Sequence, residues 1–443
     1  MRRSPGASGR RRGGLVPFAA VALAIMGGVA VMLQGSSSAA VGATRAGDRL
    51  AEREPVTHRP TVEAAFASES YRRGTTARLV LFDTASNVIL RLYRVGDAAG
   101  TLYERDVMRG KQVGATRRLA RVARGQAVQL PLDPRWRSGL YYAKLTAPVG
   151  RVGYAPFVLA PQRLGEQRIA VVLPTQSWQA YNFRDDDGNG TADTWYAWQI
   201  DTARLHRPFE NRGVPGHYRH YDEPFLRWLD RNDYRVDFLS DAELKATSGR
   251  LLADAYDLLI FPGHHEYVTR REFDAVAGFR DRGGNLIFLS GNNFFRKVTI
   301  SGNVMTRIGD WPQHGRSPAA LVGVQWFLGC ASPGSTGKPW TVQDTPAGRW
   351  IFRGTGMRPG SLFSSGGIEA DAVTPASPKS TQVVAEIRNV FGNDRDAHMT
   401  YYEAPSGAKV FAAGAFTLAG AIWQPPVRKM VANLIAALSQ PAG

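Results

Sequence analysis

The hydrophobic pattern of the chain changes at about residue 166, and each part predicts a different kind of structure. Between residues 58 and 161, short stretches of alternating apolar and polar positions are separated by turn residues, without helical periodicity. About 100 residues with seven or so short strands is the size of an immunoglobulin-like sandwich. We therefore predict an all-β, immunoglobulin-like domain at 58–161, acting as a spacer or binding module. Its strands are expected at Thr76–Phe82, Val88–Tyr93, Ala127–Leu132, Gly139–Thr146 and Ala155–Leu159.

From residue 166 onward, continuous apolar stretches alternate with helical patterns. The predicted strands are Ile169–Leu173, Tyr234–Leu239, Asp257–Phe261, Asn285–Leu289 and Lys409–Ala413, and the predicted helices are Glu223–Asp230, Thr269–Arg282 and Val427–Leu438. Continuous apolar strands between helices are typical of a parallel sheet covered on both faces. This pattern predicts an α/β doubly wound, amidotransferase- or flavodoxin-like domain at 166–440, with its ligand site at the carboxyl ends of the strands.

The amino terminus has the pattern of an export segment. Five arginines among the first twelve residues precede an uncharged apolar run from Leu15 to Leu33. A basic flank before roughly 19 apolar residues is long enough to cross a bilayer as a helix. Residues 1–43 are therefore predicted to be a signal peptide or a membrane-anchor helix, followed by a linker at 44–57. The remainder is expected outside the cytoplasm, either held at the cell membrane or secreted.

The charge balance changes this picture only slightly. The formal net charge of +17 falls to +12 when the five leader arginines are subtracted. An excess of this size predicts attraction to anionic envelope polymers or lipid surfaces. No long block of Lys and Arg follows the leader, so we expect no binding to nucleic acid. Cys330 is the only cysteine, which excludes an internal disulfide and predicts a small buried hydrophobic side chain.

Polar, aromatic-rich turns follow three of the predicted strands. They are Pro174–Asn182, Pro262–Tyr267 and Ser290–Phe295. The carboxyl ends of parallel strands share one edge of a sheet, so these turns should converge there and form a functional site. His264 and Glu266, two residues apart, can share a pocket and either bind a metal or act as general acid and base. A hydrogen-bonded cap over the sheet edge is the structural alternative.

Several segments, taken in order and spacing, resemble the large (beta) subunit of N,N-dimethylformamidase. They are Leu173–Asn182, Glu223–Leu229, Tyr234–Asp241, Gly263–Tyr267 and Gly283–Phe295. The resemblance covers most of residues 166–300 and, more loosely, the remainder to 440. It implies an amidotransferase-like α/β fold and an amidohydrolase that cleaves a formamide with a mononuclear iron held by two tyrosines and a glutamate.

Carried over by motif, the resemblance implies iron ligation by Tyr181 and Glu266. The second tyrosine is expected directly before the proline of the Pro-Phe-Leu-Arg-Trp-Leu segment, where this chain has Glu223. Either Tyr221, two residues earlier, turns into the site, or Glu223 ligates in its place, or no metal binds. Iron(III) accepts both phenolate and carboxylate oxygens, so either substitution is chemically compatible.

The resemblance implies a catalytic role for His264, and a catalytic site would also use a residue of the turn at 290–295. His264 matches the nearby histidine and is expected to accept a proton from water and to pass it to the leaving amine. Asn292, or backbone donors in the same turn, is expected to stabilise the tetrahedral oxyanion.

A second candidate metal site lies directly after Tyr181. Oxygen-bearing side chains stand at alternate positions, and glycines at 188 and 190 allow a tight turn, as in calcium-binding loops. The ligands would be Asp185, Asp187, Asn189, Thr191 and Asp193. Position 12 of such a loop is Tyr196 instead of glutamate, so we predict a calcium site that is not a complete EF-hand. Trp195, Tyr196 and Trp198 then provide either core residues or a stacking surface for a sugar.

Two functions of different classes follow from these features. The first is an extracytoplasmic metal-dependent hydrolase that acts on a small amide. The second is a non-catalytic envelope protein that binds a carbohydrate or polymer in the same cleft. The expected partners are the membrane, through the leader, and a small partner subunit or a second copy of the chain.

Overall fold

The computed structural model describes residue 56 and residues 59–100, 102–194, 201–329, 338–365, 369–390, 394–416 and 418–440. The predicted leader at 1–43, nearly all of the linker, Trp195, Tyr196, Trp198 and Cys330 lie outside these residues. The described residues belong to one compact unit, Ala46–Gly443. None of their helices combines the length and the apolar character needed to cross a membrane.

Residues 64–160 form two sheets that pack face to face. The strands are β1 Ala64–Phe66, β2 Ser70–Arg72, β3 Thr76–Leu81, β4 Ala85–Val95, β5 Gly110–Val122, β6 Ala127–Pro131, β7 Gly139–Ala147 and β8 Arg151–Ala160. One sheet has the order β1-β3-β6 and the other β2-β8-β7-β4-β5. Phe66 and Leu79 of the first sheet pack against Leu90 and Phe157 of the second. This β-rich arrangement fits the immunoglobulin-like part of the prediction.

The remainder of the chain is built around a nine-stranded sheet. Its strands and those beside it are β9 Ile169–Leu173, β10 Thr202–Arg204, β11 Asp237–Ser240, β12 Leu258–Phe261, β13 Tyr267–Val268, β14 Asn285–Phe288, β15 Arg296–Ser301, β16 Val304–Asp310, β17 Gln325–Gly329, β18 Pro339–Val342, β19 Leu362–Ser365, β20 Glu369–Ala372, β21 Gln382–Ile387, β22 Ala397–Glu403 and β23 Lys409–Ala412. The large sheet has the order β11-β9-β12-β14-β23-β22-β21-β18-β19. Two smaller sheets have the orders β10-β16-β15-β13 and β17-β20.

The helices are short and cover the sheet in places. They are α1 Thr175–Ala180, α2 Tyr218–Tyr221, α3 Glu223–Arg231, α4 Asp241–Ala246, α5 Gly249–Ala255, α6 Arg270–Arg280, α7 Ala319–Val322, α8 Pro346–Ile351 and α9 Pro425–Leu438, with 3-10 turns at Trp311–His314 and Gly420–Trp423. Thr269 caps α6 in a capping box with Glu272, as its sequence predicts. The longest described helix, α9, has 14 residues.

The predicted order of anchor helix, sandwich and doubly wound α/β domain is wrong as a description of this fold. The described residues are mostly β-strand with few helices, and none of those helices could serve as an anchor. The strands β11, β9, β12, β14 and β23 are parallel, but β22, β21, β18 and β19 extend the sheet in antiparallel pairs. Those added strands mix buried and partly exposed positions, so they lack the continuous apolar pattern that predicts a parallel strand.

The sandwich and the large sheet share one hydrophobic core. Leu140 and Val158 of the sandwich belong to the same buried cluster as Phe225 of α3. At its edge, Arg94 of β4 forms an ion pair with Asp230 of α3, with 2.8 Å between nitrogen and oxygen. The two parts are therefore joined both by shared apolar burial and by a largely buried ion pair.

Three buried carboxyl groups meet where the two parts join. The Thr175 hydroxyl hydrogen bonds to Glu69 and lies 3.1 Å from Asp241 Oδ2, which also accepts the Gln176 backbone N–H at 2.8 Å. The Gln176 side-chain amide donates to Glu272. Burial raises the pKa of all three carboxyl groups, and that of Glu272 reaches about 7. Their ionised forms are therefore disfavoured in the folded protein.

We expect the Asp241→Asn variant to gain stability over the unmodified chain as the pH rises. The pKa of Asp241 is raised in the folded state, so its stabilising contribution is complete below about pH 4 and is lost as the pH rises through the raised pKa. The difference in free energy of unfolding should shift in favour of the variant by roughly 1–3 kcal/mol between about pH 5 and pH 8. Urea denaturation at both pH values measures it. The matched variant Asp274→Asn, at an exposed ion pair with Arg316, should show no such shift, and equal behaviour of the two variants would contradict the prediction.

Candidate active site

Three loops leave the carboxyl ends of neighbouring parallel strands. Strand β9 leads into α1 and then to Tyr181, β12 leads to His264 and Glu266, and β14 leads to Asn292. The order β9-β12-β14 in the sheet puts these three ends side by side. The loops therefore meet at the edge where open α/β sheets bind ligands.

Gly263 makes the close passage of the central loop possible. A Cβ atom at this position would lie 2.4 Å from Asp222 Oδ1 and 2.9 Å from Pro174 Cγ. Asp222 is fixed in turn, because its Oδ2 accepts a hydrogen bond from Trp178 Nε1 at 3.1 Å. Only glycine lets the loop pass between these groups and present the two following side chains.

Glu266 is the centre of the site. Its side chain is 1 % exposed, and its Oε2 accepts a 2.5 Å hydrogen bond from the Tyr181 hydroxyl. Arg296 Nε, from the start of β15, lies 3.0 Å from the other oxygen and forms an ion pair with it. The backbone N–H of Glu266 donates to Ser177 Oγ at 3.1 Å. The carboxylate is therefore held by Tyr181 on one oxygen and Arg296 on the other, while Ser177 fixes the backbone that carries it.

His264 lies between two carboxylates. Its Nε2 is 3.5 Å from Glu266 Oε2 and 3.8 Å from Glu369 Oε2. Its ring packs against Tyr181 and Phe416, with centroids 5.2 and 4.5 Å away. Burial lowers the pKa of His264 well below its usual value, which favours the neutral imidazole. Among the described residues, no group makes a hydrogen bond to the buried Nε2.

The two candidate residues for the third ligand, Tyr221 and Glu223, have different surroundings. Tyr221 stacks on His217, and its ring lies 4.9 Å from Phe416, the same ring that packs on His264. Glu223 lies 3.5 Å from Arg227 on the next turn of α3. Burial raises the pKa of Glu223 to about 7. Tyr221 thus contacts a ring that also packs on His264, whereas Glu223 pairs with an arginine of its own helix.

Asn292 has a backbone role that its sequence does not predict. Its φ angle is 49°, and its N–H donates to both oxygens of Asp371 at 2.9 and 3.1 Å. That N–H is therefore already used and is not available to an oxyanion. Within the described residues, the buried Oδ1 of Asn292 accepts no hydrogen bond. The side-chain amide is the part of Asn292 that remains available for the role expected from the sequence.

Two residues of the site were not predicted from the sequence. Glu369 lies on β20, more than 100 residues after His264, and no local motif marks it. Arg296 directly follows the polar turn Ser290–Phe295, and its position at the start of a strand was the one available signal. Glu369 reaches His264 from a separate two-stranded sheet, whereas Arg296 lies beside Glu266 because β15 pairs with β13 in one sheet.

The donors around Glu266 fit a hard cation. A phenol oxygen and a carboxylate oxygen lie 2.5 Å apart, and an imidazole nitrogen with no hydrogen-bond partner among the described residues faces them. Oxygen donors of this kind suit iron(III) more than a soft metal. Tyr181 and Glu266 are therefore compatible with an iron site.

The predicted calcium loop brings three carboxylates together. Asp185, Asp187 and Asp193 each place one oxygen within 4.8 Å of the others. Asp185 also accepts the backbone N–H groups of residues 188, 189 and 190, at 2.7, 3.2 and 2.8 Å respectively. Asn189 and Thr191 lie in the same exposed turn, where the Thr191 N–H donates to Asn189 Oδ1 at 2.8 Å. The calcium site stays a prediction.

The comparisons with known proteins give one informative match. The family described as "N,N-dimethylformamidase beta subunit-like, C-terminal" matches residues 117–427, a range that begins in β5 of the sandwich. No curated protein matches the chain.

Solved structures show only distant likeness. An uncharacterized protein from Bacillus anthracis str. Ames is 15 % identical over 23 % of this chain and 85 % of its own, with a TM-score of 0.17. Superoxide reductase (neelaredoxin) from Ignicoccus hospitalis is 18 % identical over 24 % and 81 %, with a TM-score of 0.14. A cycloisomaltooligosaccharide glucanotransferase from Paenibacillus sp. is 14 % identical over 56 % and 34 %, with a TM-score of 0.16. Likeness at this level carries no argument about fold or function.

Replacing Arg296 by glutamine should strongly destabilise the fold. The variant leaves the buried Glu266 carboxylate without its cation, which costs about 2–4 kcal/mol in free energy of unfolding. Urea denaturation near neutral pH measures the loss. The control Arg316→Gln breaks an ion pair with Asp274, whose side chain is half exposed, and should cost less than about 1 kcal/mol. Equal losses of unfolding free energy in the two variants would show that the ion pair of Arg296 with Glu266 contributes no more to stability than an exposed ion pair.

Calcium should raise the melting temperature of the chain if the loop at 185–193 binds it. A ligand that binds only the folded state stabilises it in proportion to the logarithm of its concentration. Thermal unfolding with and without about 1 mM calcium, the range of weak extracellular sites, tests this. The Asp187→Asn variant should lose the shift, whereas Asp274→Asn should keep it. A calcium shift that survives in Asp187→Asn would exclude this loop.

Proposed function

Because the chain belongs to the N,N-dimethylformamidase beta subunit-like family, we propose that it is a metal-dependent hydrolase that cleaves an amide C–N bond. The observation that carries the proposal is the buried contact of Tyr181, His264 and Glu266 at the carboxyl ends of parallel strands. These three residue types are the ones that the family resemblance assigns to iron ligation and proton transfer. Their side chains meet although Tyr181 and Glu266 are 85 positions apart in the chain.

Iron is the proposed metal, and Tyr181 and Glu266 would hold it. Tyr221 is the proposed second tyrosine, since its ring contacts Phe416, which packs on His264, whereas Glu223 pairs with Arg227. When bound, iron supplies Lewis acidity, which polarises an amide carbonyl or lowers the pKa of a bound water. Arg296 keeps the Glu266 carboxylate oriented and its charge compensated.

Proton transfer is assigned to His264. Its Nε2 faces the interior of the site and can accept the proton of an attacking water, then return it to the amine that leaves. Glu369 lies on the other side of the same nitrogen, where a carboxylate stabilises the imidazolium formed in between. Phe416 covers the ring and keeps bulk water from it.

The oxyanion is assigned to the side chain of Asn292. The backbone N–H of this residue is donated to Asp371, which fixes the turn instead of serving the substrate. The side-chain amide has no such commitment and can supply one preorganised donor to the developing negative charge.

Burial of the site favours a small amide over a polymer as substrate. The side chains of His264, Glu266 and Glu369 are at most 7 % exposed. A polysaccharide or peptide chain could not reach Nε2 without displacing the covering rings, whereas a formamide could. A carbohydrate-binding role for this same cleft is correspondingly disfavoured.

The Glu266→Gln variant of the purified chain tests the proposal. Release of formate and dimethylamine from N,N-dimethylformamide should fall at least 100-fold, and bound iron, measured by elemental analysis, should be lost with it. His264→Asn should retain iron but lose hydrolysis, because it removes the proton acceptor and leaves the proposed ligands. Both variants need denaturation curves to show that they fold.

The control is Glu386→Gln, in a separate surface group with Asp396 and His398 whose ligand atoms also lie within 4.8 Å of one another. It should leave iron content and hydrolysis unchanged. Iron retained in Glu266→Gln but lost in Glu386→Gln would move the metal to that surface group. Iron lost as expected, but from a chain that hydrolyses no formamide, would keep the metal site and reject the amide substrate.

A further inference from the structure

A groove opens along one side of the sandwich, far along the chain from the candidate active site. It lies between β5, at the edge of the five-stranded sheet, and β6, at the edge of the three-stranded sheet. Its volume is about 750 Å³, within the range of ligand sites in proteins. Its apolar lining includes Leu90, Leu92, Leu130 and Trp136. The three leucines belong to the buried core and form the floor of the groove, whereas Trp136 is partly exposed and accessible from solvent.

The strand beside the groove is strongly basic. Residues 107–132 contain six Lys and Arg residues and no Asp or Glu. Arg117, Arg118, Arg121 and Arg124 are all exposed, and within the described part of the chain none of them forms an ion pair with a carboxylate. Side chains alternate between the two faces of a strand, so Arg117 and Arg121 lie on the groove side of β5, Arg118 lies on its outer side, and Arg124 follows in the turn. Arg117, Arg121 and Arg124 form a positive stripe along the groove whose charge is not compensated locally.

Arg117 connects the stripe to the groove. It lines the groove, and its Nη1 donates a 2.5 Å hydrogen bond to the carbonyl oxygen of Gln129 on β6. This contact joins the two sheet edges and shows that a long cationic side chain from β5 can span the opening. A partner lying in the groove would therefore meet both the apolar lining and the basic stripe.

Trp136 gives the groove a flat aromatic surface. Its ring stacks on Tyr141 with an interplanar angle of 16° and remains partly exposed. Gly114 lies beside it with a φ of +63°, and a Cβ there would come 3.1 Å from Trp136 Cζ2. Glycine thus satisfies the backbone and also keeps the edge of the indole uncovered. The apolar C–H face of a sugar ring packs well on such a surface, as other flat apolar groups do.

Two simpler explanations account for only part of these features. Cations on an edge strand also prevent edge-to-edge pairing of sheets, which explains charge on β5 but not the groove beside it. A basic face can adsorb to an anionic membrane, but the exposed large hydrophobic side chains of the described residues, which could anchor such a face, all lie outside β5 and β6. A linear polyanion with apolar ring faces uses both the stripe and the groove.

We propose that the groove between β5 and β6 binds a linear acidic polysaccharide. Its sugar rings lie on Trp136, and its carboxylates pair with Arg117 and Arg121 on the groove side of β5 and with Arg124 in the turn after it. This function is independent of the amide hydrolase, because the site uses none of the residues around Glu266.

Titration of the purified chain with alginate, a linear polyuronate, tests the proposal. The double variant Arg121→Gln/Arg124→Gln should bind alginate at least tenfold more weakly at about 0.1 M salt, since two exposed charge pairs are lost. The double variant Arg353→Gln/Arg358→Gln removes the same charge from exposed positions near α8 and should change the affinity less than twofold. Denaturation midpoints within the error of the unmodified chain show that both variants fold.

Three further measurements decide between this partner and others. Dextran, which is neutral, should not bind, and Trp136→Leu should weaken alginate binding several-fold while leaving the salt dependence unchanged, because it alters packing and not charge. If polyglutamate binds as tightly as alginate, negative charge alone determines binding and sugar rings are not required, which would overturn the proposal. Binding to vesicles of anionic lipid without binding to alginate, or equal losses in the two arginine variants, would overturn it as well.

Discussion

The ion pair between Glu266 and Arg296 is the interaction on which the rest of the candidate active site depends. A carboxylate that is 1 % exposed is tolerated only where a cation and hydrogen-bond donors surround it. Here the cation comes from the four-stranded sheet, a phenol from the loop after α1, and Ser177 accepts the neighbouring N–H. The Glu266 carboxylate thus connects the loop after β12 with the loop after α1 and with the start of β15. His264 is held in place with it, because it lies two residues earlier in the same loop.

The late part of the chain completes the site from the opposite side. Strand β20 brings Glu369 to His264 and Asp371 to the backbone of Asn292. It is anchored where β23 ends, because the Asp371 N–H donates to the carbonyl oxygen of Gly414 at 2.8 Å. Gly414 has a φ of +67°, and a Cβ there would lie 1.9 Å from the carbonyl oxygen of His398. The loops after the parallel strands therefore carry Tyr181, His264 and Glu266. Strand β20, which comes before the antiparallel strand β21 in the chain, supplies Glu369 and Asp371.

The sequence predicts those elements whose signals are local. Strands β9, β12, β14 and β23 follow from continuous apolar runs, and the start of α6 follows from the capping box at Thr269. His264 and Glu266 could be placed together because they share one loop. Glu369 could not, because its contact with His264 joins residues 105 positions apart, and nothing near β20 marks it. The antiparallel strands beyond β23 were also missed, because mixed burial along β18 and β21 gives no periodic signal.

The shared core of the sandwich and the large sheet makes residues 59–160 an integral part of the molecule instead of a detachable accessory. Leu140 and Val158 pack with Phe225 as though both belonged to one domain. A cut in the short connection between β8 and β9 would expose an apolar face on each fragment, and surfaces of this kind drive association. Neither fragment is therefore expected to be a stable unit by itself, so the groove of the sandwich and the candidate active site belong to one folding unit.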